Sequence, residues 1–198
     1  MKVLGITGGI GSGKSHLSHI LTSQYGIPVY DCDTEAKRLN EESDAIRQAL
    51  IRLIGPQVYD AGGKLRKDIL ARYLFQGEEH QRQVNAIIHP VVRQDFRQWC
   101  QRQDRPIVAL ESAILLESGF SDMADAILTV TAPVSLRIQR ATHRDGSTAE
   151  QVERRIRLQL SDEQRIARSH YVIQNDGRPL QPQIEEMTKR LMNSIKTT

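Results

Sequence analysis

One stretch, Gly8-Gly9-Ile10-Gly11-Ser12-Gly13-Lys14-Ser15, constrains this chain more than any other. It matches G-x-x-x-x-G-K-[ST], with Gly8, Gly13, Lys14 and Ser15 in the fixed places. The apolar run from Lys2 to Thr7 before it reads as a buried strand. After it, Leu17, Ile20, Leu21 and Tyr25 recur at helical spacing. Strand, glycine loop, helix is the context that gathers backbone N–H groups and the positive end of a helix around an anion. The amides of Gly11, Ser12 and Gly13 then face a nucleotide tail, Lys14 reaches its β- and γ-phosphates, and the Ser15 hydroxyl ligates Mg²⁺. Nucleoside triphosphate binding follows from this pattern. The choice among kinase, GTPase and ATPase motor does not.

At 198 residues the default is one domain with a real hydrophobic core. The net charge of +3 comes without a long basic block, so an anionic small molecule is a better expectation than nucleic acid. Cys32 and Cys100 show neither C-x-x-C nor zinc spacing, the usage of a reduced cytoplasmic protein. No apolar run approaches the ~20 residues that cross a bilayer. The N-terminal run leads straight into the glycine loop, so neither a signal peptide nor a membrane partner is expected.

Further along, Val29-Tyr30 reads as a second strand ending at Asp31-Cys32-Asp33. Ligands of open parallel sheets gather beyond the carboxyl ends of strands. One of these aspartates could therefore accept or orient the proton of a hydroxyl that attacks the γ-phosphoryl group, and the other could hold a Mg²⁺-bound water. Either could equally cap the helix that starts near Thr34. Residues from about 34 to 104 read as wholly helical, too long for a simple crossover, and suit an insertion that holds a second substrate. His89-Pro90 predicts a kink or break in its last helix. Residues 106–111, 126–130 and 171–173 read as three more strands, the first ending in Glu111, an acid in place of the aspartate expected there for a Mg²⁺-water contact. The last helix carries a stripe of Ile184, Met187, Leu191 and Ile195.

Between strands four and five, residues 137–168 hold Arg137, Arg140, Arg144, Arg154, Arg155, Arg157, Arg165 and Arg168 and no lysine. Interspersed acids make most of them candidates for surface ion pairs. Arg140 and Arg144, four apart on one helix face, suit clamping of phosphate oxygens. Ser147-Thr148-Ala149-Glu150 matches a capping box. A mobile lid here would exclude water from a phosphoryl transfer. The expected fold is α/β, a parallel five-stranded sheet flanked by helices. The core takes about 1–33, 105–136 and 169–198, the insertion about 34–104 and the lid about 137–168.

Several separate stretches together resemble the dephospho-CoA kinase family. They are residues 7–15, the D-x-D of Asp31-Cys32-Asp33, Gly63-Lys64-Leu65-Arg66 with Leu70 and Phe75, and Asn85-Ala86-Ile87-Ile88-His89-Pro90. Arg155-Ile156 with Gln159 and Val172-Ile173 with Asn175 continue the likeness over nearly the full length. His16 stands where the family usually has Thr, Val84 where Leu is common, and Ser169-His170 where Ala-Asp is common. The resemblance implies a P-loop kinase fold and transfer of the ATP γ-phosphoryl group to the ribose 3′-hydroxyl of dephospho-CoA, the last step of CoA synthesis. It implies ATP and Mg²⁺ at Gly11, Ser12, Gly13, Lys14, Ser15 and His16, Asp33 as base or orienting carboxylate, and Arg140 and Arg144 on the phosphates. It places Arg66, Asn85 and His89 in or near the dephospho-CoA site. A kinase for nucleosides or nucleotides shares every phosphate-side feature. An ATPase switch fits less well, since there is no N-K-x-D and no apolar run ending in Asp-Glu.

Overall fold

The computed structural model describes the backbone of residues 1–196 and side chains through residue 193, so Ile195 of the predicted stripe lies outside the described side chains. The elements run β1 (Lys2–Thr7), α1 (Lys14–Tyr25), β2 (Val29–Asp31), α2 (Cys32–Glu42), α3 (Asp44–Ile54), α4 (Lys67–Leu74) and α5 (Glu78–Gln101). They continue with β3 (Ile107–Glu111), β4 (Ala126–Thr131), α6 (Val134–Asp145), α7 (Ala149–Arg157), α8 (Asp162–Ile166), β5 (Tyr171–Gln174) and α9 (Gln181–Lys196). Residues 1–30 with 103–198 form one compact unit and residues 31–102 another.

The first unit is built on a five-stranded sheet in the order β2-β3-β1-β4-β5. The pairs β1–β3, β1–β4 and β4–β5 are parallel. Parallel strands are covered on both faces, so they read as near-continuous apolar runs rather than alternating ones. β3 is buried at every residue, and so are the first five residues of β4. Leu4 and Ile6 of β1, Leu128 and Val130 of β4, Leu17 and Leu21 of α1, and Ile184, Met187 and Leu191 of α9 share one core cluster. Gly5 admits a close neighbour: a Cβ there would lie 2.8 Å from Leu115 Cδ2 and 3.0 Å from the Ala124 Cβ. After β1 the chain crosses to one side of the sheet and later returns to the other. The carboxyl end of β1 is therefore a switch point, where such folds open a ligand crevice.

The second unit is helical around buried Leu39, Ile46, Leu50, Val58, Val84, Ile88, Val92 and Phe96. Arg38 ties α2 to α5 by bonds to Glu35 (2.6 Å), Glu42 (2.7 Å) and Asp95 (3.0 Å). One expectation is corrected here, and of the kink or break expected at His89-Pro90 the break is ruled out. The stretch is not wholly helical: Tyr59 and Leu65 form an antiparallel bridge around a turn whose Gly63 has φ 77°. And α5 runs unbroken through His89-Pro90 for 24 residues. Pro90 removes one N–H donor, but the apolar face at Val84, Ile88, Val92 and Phe96 stays buried on both sides of it and holds the helix together.

Candidate functional site: a glycine loop at the sheet's switch point

Between β1 and α1 the backbone turns through Gly11 (φ 74°) and Gly13 (φ 97°), left-handed conformations that favour glycine. Gly13 is the N-cap of α1, no side chain caps that helix, and its first turn holds no acid. By contrast α2, α3, α7 and α8 are capped by Asp31, Ser43, Thr148 and Ser161. α4, α5 and α6 also lack a side-chain cap, but only α1 follows the left-handed glycine loop, whose amides with those of its first turn suit an external anion. Ser12 is 1% exposed and its Oγ has no hydrogen-bond partner among the described residues. Lys14 Nζ donates to the Gly8 carbonyl at 2.9 Å, folding its charge over the loop. His16 sits beside Ser15 on the exposed side of α1.

Ser15 Oγ donates to Glu111 Oε1 at 3.3 Å, and Ser18 Oγ donates to Glu111 Oε2 at 2.5 Å. Glu111 ends β3 and is only 6% exposed. A hydroxyl and a carboxylate side by side are hard oxygen donors. They suit Mg²⁺, which keeps several waters and takes the rest of its shell from one or two protein groups and substrate phosphates. Among the described residues no group of three or more His, Cys, Asp or Glu that could hold a metal ion is found. Ser18 was not read from the sequence. Its signal was a small polar residue within the apolar stripe of α1.

The arginine-rich stretch divides sharply. Arg140 NH1 and NH2 donate to the Asn175 carbonyl (3.1 Å) and Oδ1 (3.3 Å), and Asn175 Nδ2 donates to the Ser12 carbonyl at 2.8 Å. Arg140 is thereby one residue removed from the loop. Arg144 shares its helix but turns to Asp145 at 2.7 and 3.0 Å, with a side chain 62% exposed. That contact holds the Asp145 carboxyl below the usual carboxylate range. Arg137, one of eight arginines in the sequence reading, is 3% exposed and contacts the loop directly, donating from Nε to the Ile10 carbonyl at 3.0 Å. Its NH1 reaches both oxygens of Asp162 at 3.2 Å. Arg165, fully buried, lies 3.3 Å from Asp162 and 3.6 Å from Glu117, and burial pushes its pKa down. The capping box falls one residue later than expected, on Thr148 and Gln151, and a second forms at Ser161 and Gln164. Thr148 rather than Ser147 is the last extended residue, so its hydroxyl meets the orphan amide. The departures at Ser169 and His170 have structural partners, Thr129 Oγ1 at 2.6 Å and the Ile127 N–H at 3.0 Å.

In the unit of residues 31–102, the two aspartates part company. Asp31 is the N-cap of α2: its Oδ1 accepts from the Asp33 and Thr34 amides at 2.9 and 3.2 Å, and its Oδ2 from the Thr34 hydroxyl at 2.7 Å. Asp33 is exposed in the first turn of α2. Arg66 is exposed, 3.5 Å from Asp68. Asn85 is exposed on α5. His89 is half-buried, and burial followed by the nearby Arg93 charge lowers its pKa.

Sheet order, glycine loop and uncapped α1 define a P-loop nucleotide-binding protein of the small kinase type. The sequence profile described as dephospho-CoA kinase matches residues 2–181. A dephospho-CoA kinase of Bacteroides fragilis is 50% identical over 97% of this chain and 94% of its own length. One of Porphyromonas gingivalis is 44% identical over 100% and 96%. A crystal structure of a Thermus thermophilus protein superposes with a TM-score of 0.83 at 33% identity, covering 98% of this chain and 97% of that one. The chain belongs to the dephospho-CoA kinase family.

Proposed function

We propose that this protein transfers the γ-phosphoryl group of ATP to the ribose 3′-hydroxyl of dephospho-CoA, giving CoA and ADP. Family membership over residues 2–181 with every fixed position of the glycine loop present carries this reading. The amides of Gly11, Ser12 and Gly13 and the start of α1 hold the ATP phosphates, and Lys14 neutralises charge on the β- and γ-phosphates. Ser15, whose hydroxyl donates to Glu111, would hold Mg²⁺, which would supply screening of the phosphate charge. Arg140 adds positive charge toward the transferring group, held ready by Asn175. Asp33 accepts or orients the proton of the acceptor hydroxyl. Asp31 is fully engaged as a helix cap, which favours Asp33 for the chemistry. Arg66, Asn85 and His89 contact dephospho-CoA. The buried thiols of Cys32 and Cys100 suit a reducing cytoplasm.

An assay of ADP release separates this from a nucleotide kinase. Dephospho-CoA should stimulate ADP formation in a one-to-one ratio with CoA, and nucleoside monophosphates should not. Equal turnover of AMP, or ADP release independent of any acceptor, contradicts the assignment.

A further inference from the structure

Ile10, in the middle of the glycine loop, has one N–H and one carbonyl, and residues of the 137–168 stretch occupy both. Its N–H donates to Gln159 Oε1 at 2.9 Å, and its carbonyl accepts from Arg137 Nε at 3.0 Å. The loop sequence is shaped around this contact. A Cβ on Gly9 would collide with the Arg137 guanidinium, and a Cβ on Gly11 with the Arg137 backbone. Neither position is fixed in the G-x-x-x-x-G-K-[ST] pattern. Gly9 therefore makes room for the Arg137 guanidinium and Gly11 for the Arg137 backbone, whatever they also do for phosphate. Arg137 is anchored in turn by Asp162, and the Ser161–Gln164 capping box sets the start of α8 just after Gln159. Leu160 N–H donates to Glu117 at 3.3 Å and adds a third tether to that segment.

We propose that Gln159 and Arg137 are positioning residues that clamp the Ile10 peptide from both sides, so that ATP affinity depends on docking of residues 159–165 against the loop. The proposal deepens the functional reading above and rests on its assignment of the loop to ATP. Reciprocity of linked equilibria makes ATP hold that segment down as firmly as the segment supports ATP.

Calorimetric titration of Mg·ATP into the full chain tests it, with Gln159→Leu, Gln159→Glu and Arg137→Lys beside the parent. Thermal melting checks that each variant is folded. Leu keeps the volume and removes the acceptor, whereas Glu keeps an acceptor oxygen. Gln159→Leu should weaken ATP binding about tenfold, the effect of one half-buried hydrogen bond, with the KM for dephospho-CoA unchanged. Gln159→Glu should recover most of that loss, and Arg137→Lys should weaken ATP by a similar factor. Saturating Mg·ATP should slow tryptic cleavage within 154–168 in the parent but not in Gln159→Leu. Parental ATP affinity in folded Gln159→Leu overturns the clamp, and so does equal weakening by Leu and Glu, which marks simple packing. A parent that binds ATP yet never phosphorylates dephospho-CoA defeats the functional reading while these affinities still judge the clamp.

Discussion

Around the glycine loop, Ser12, Glu111, Arg137 and Asn175 are at most 8% exposed. In residues 31–102, Asp33, Arg66 and Asn85 are all exposed. The first set is fixed by bonds within its own unit before any ligand arrives, which is what phosphate chemistry demands. Donors aimed in advance need no reorganisation when charge develops. The second set is exposed, and on the function proposed above the acceptor would cover it on binding. Substitutions at these four buried residues should therefore disturb both catalysis and folding, and substitutions in the second set catalysis or acceptor binding alone.

The largest effect expected from that contrast is on turnover. Asp33→Asn should lower kcat by about 10²–10⁴-fold, the range of a lost general base, with melting temperature and ATP affinity unchanged. Near-normal turnover would remove Asp33 from the chemistry. Lys14→Ala should cost about 10²–10³-fold in kcat with native circular dichroism, since its charge rather than its packing is lost. Within α6 the contrast sharpens further: Arg140→Ala should reduce kcat at least tenfold more than Arg144→Ala, because Arg144 is spent on Asp145. Equal losses would restore the two as a pair closing over phosphate. Next, Arg66→Ala and Asn85→Ala should each raise the KM for dephospho-CoA about 3–10-fold and leave the melting temperature in place. A fall in melting temperature with unaltered KM breaks the comparison.

The smallest effect is on pH. Burial holds the folded-state pKa of His89 below its ordinary 6.5, so the unfolded chain takes the proton first as pH falls. Its contribution to stability is complete above about pH 6.5 and is lost as the solution is acidified through the folded-state value. Melting curves between pH 7.5 and 5 should show a decline that His89→Gln reduces. An identical decline in the variant assigns it to other groups.

Local patterns were enough for the glycine loop, the strands, the apolar stripe of α1 and the existence of a helical insertion. Each rests on periodicity or on residue chemistry within a few positions. They allowed a break at His89-Pro90, where burial of one face of α5 on both sides of the proline keeps the helix continuous, and they were one residue off at the Thr148 cap. They left Asp31 and Asp33 equivalent until the cap hydrogen bonds separated them.

What only tertiary structure decided are the partners of the loop: Gln159 and Arg137 on Ile10, 149 and 127 residues away in sequence, and Ser18 on Glu111, 93 residues away. Eight arginines look alike along the chain, and folding buries Arg137 at the loop while leaving Arg144 in solvent. The physical reason is reach. Backbone propensity and periodicity act over a turn or two, whereas a hydrogen bond is selected by whichever strand ends and helices the finished sheet brings within about 3 Å of each other.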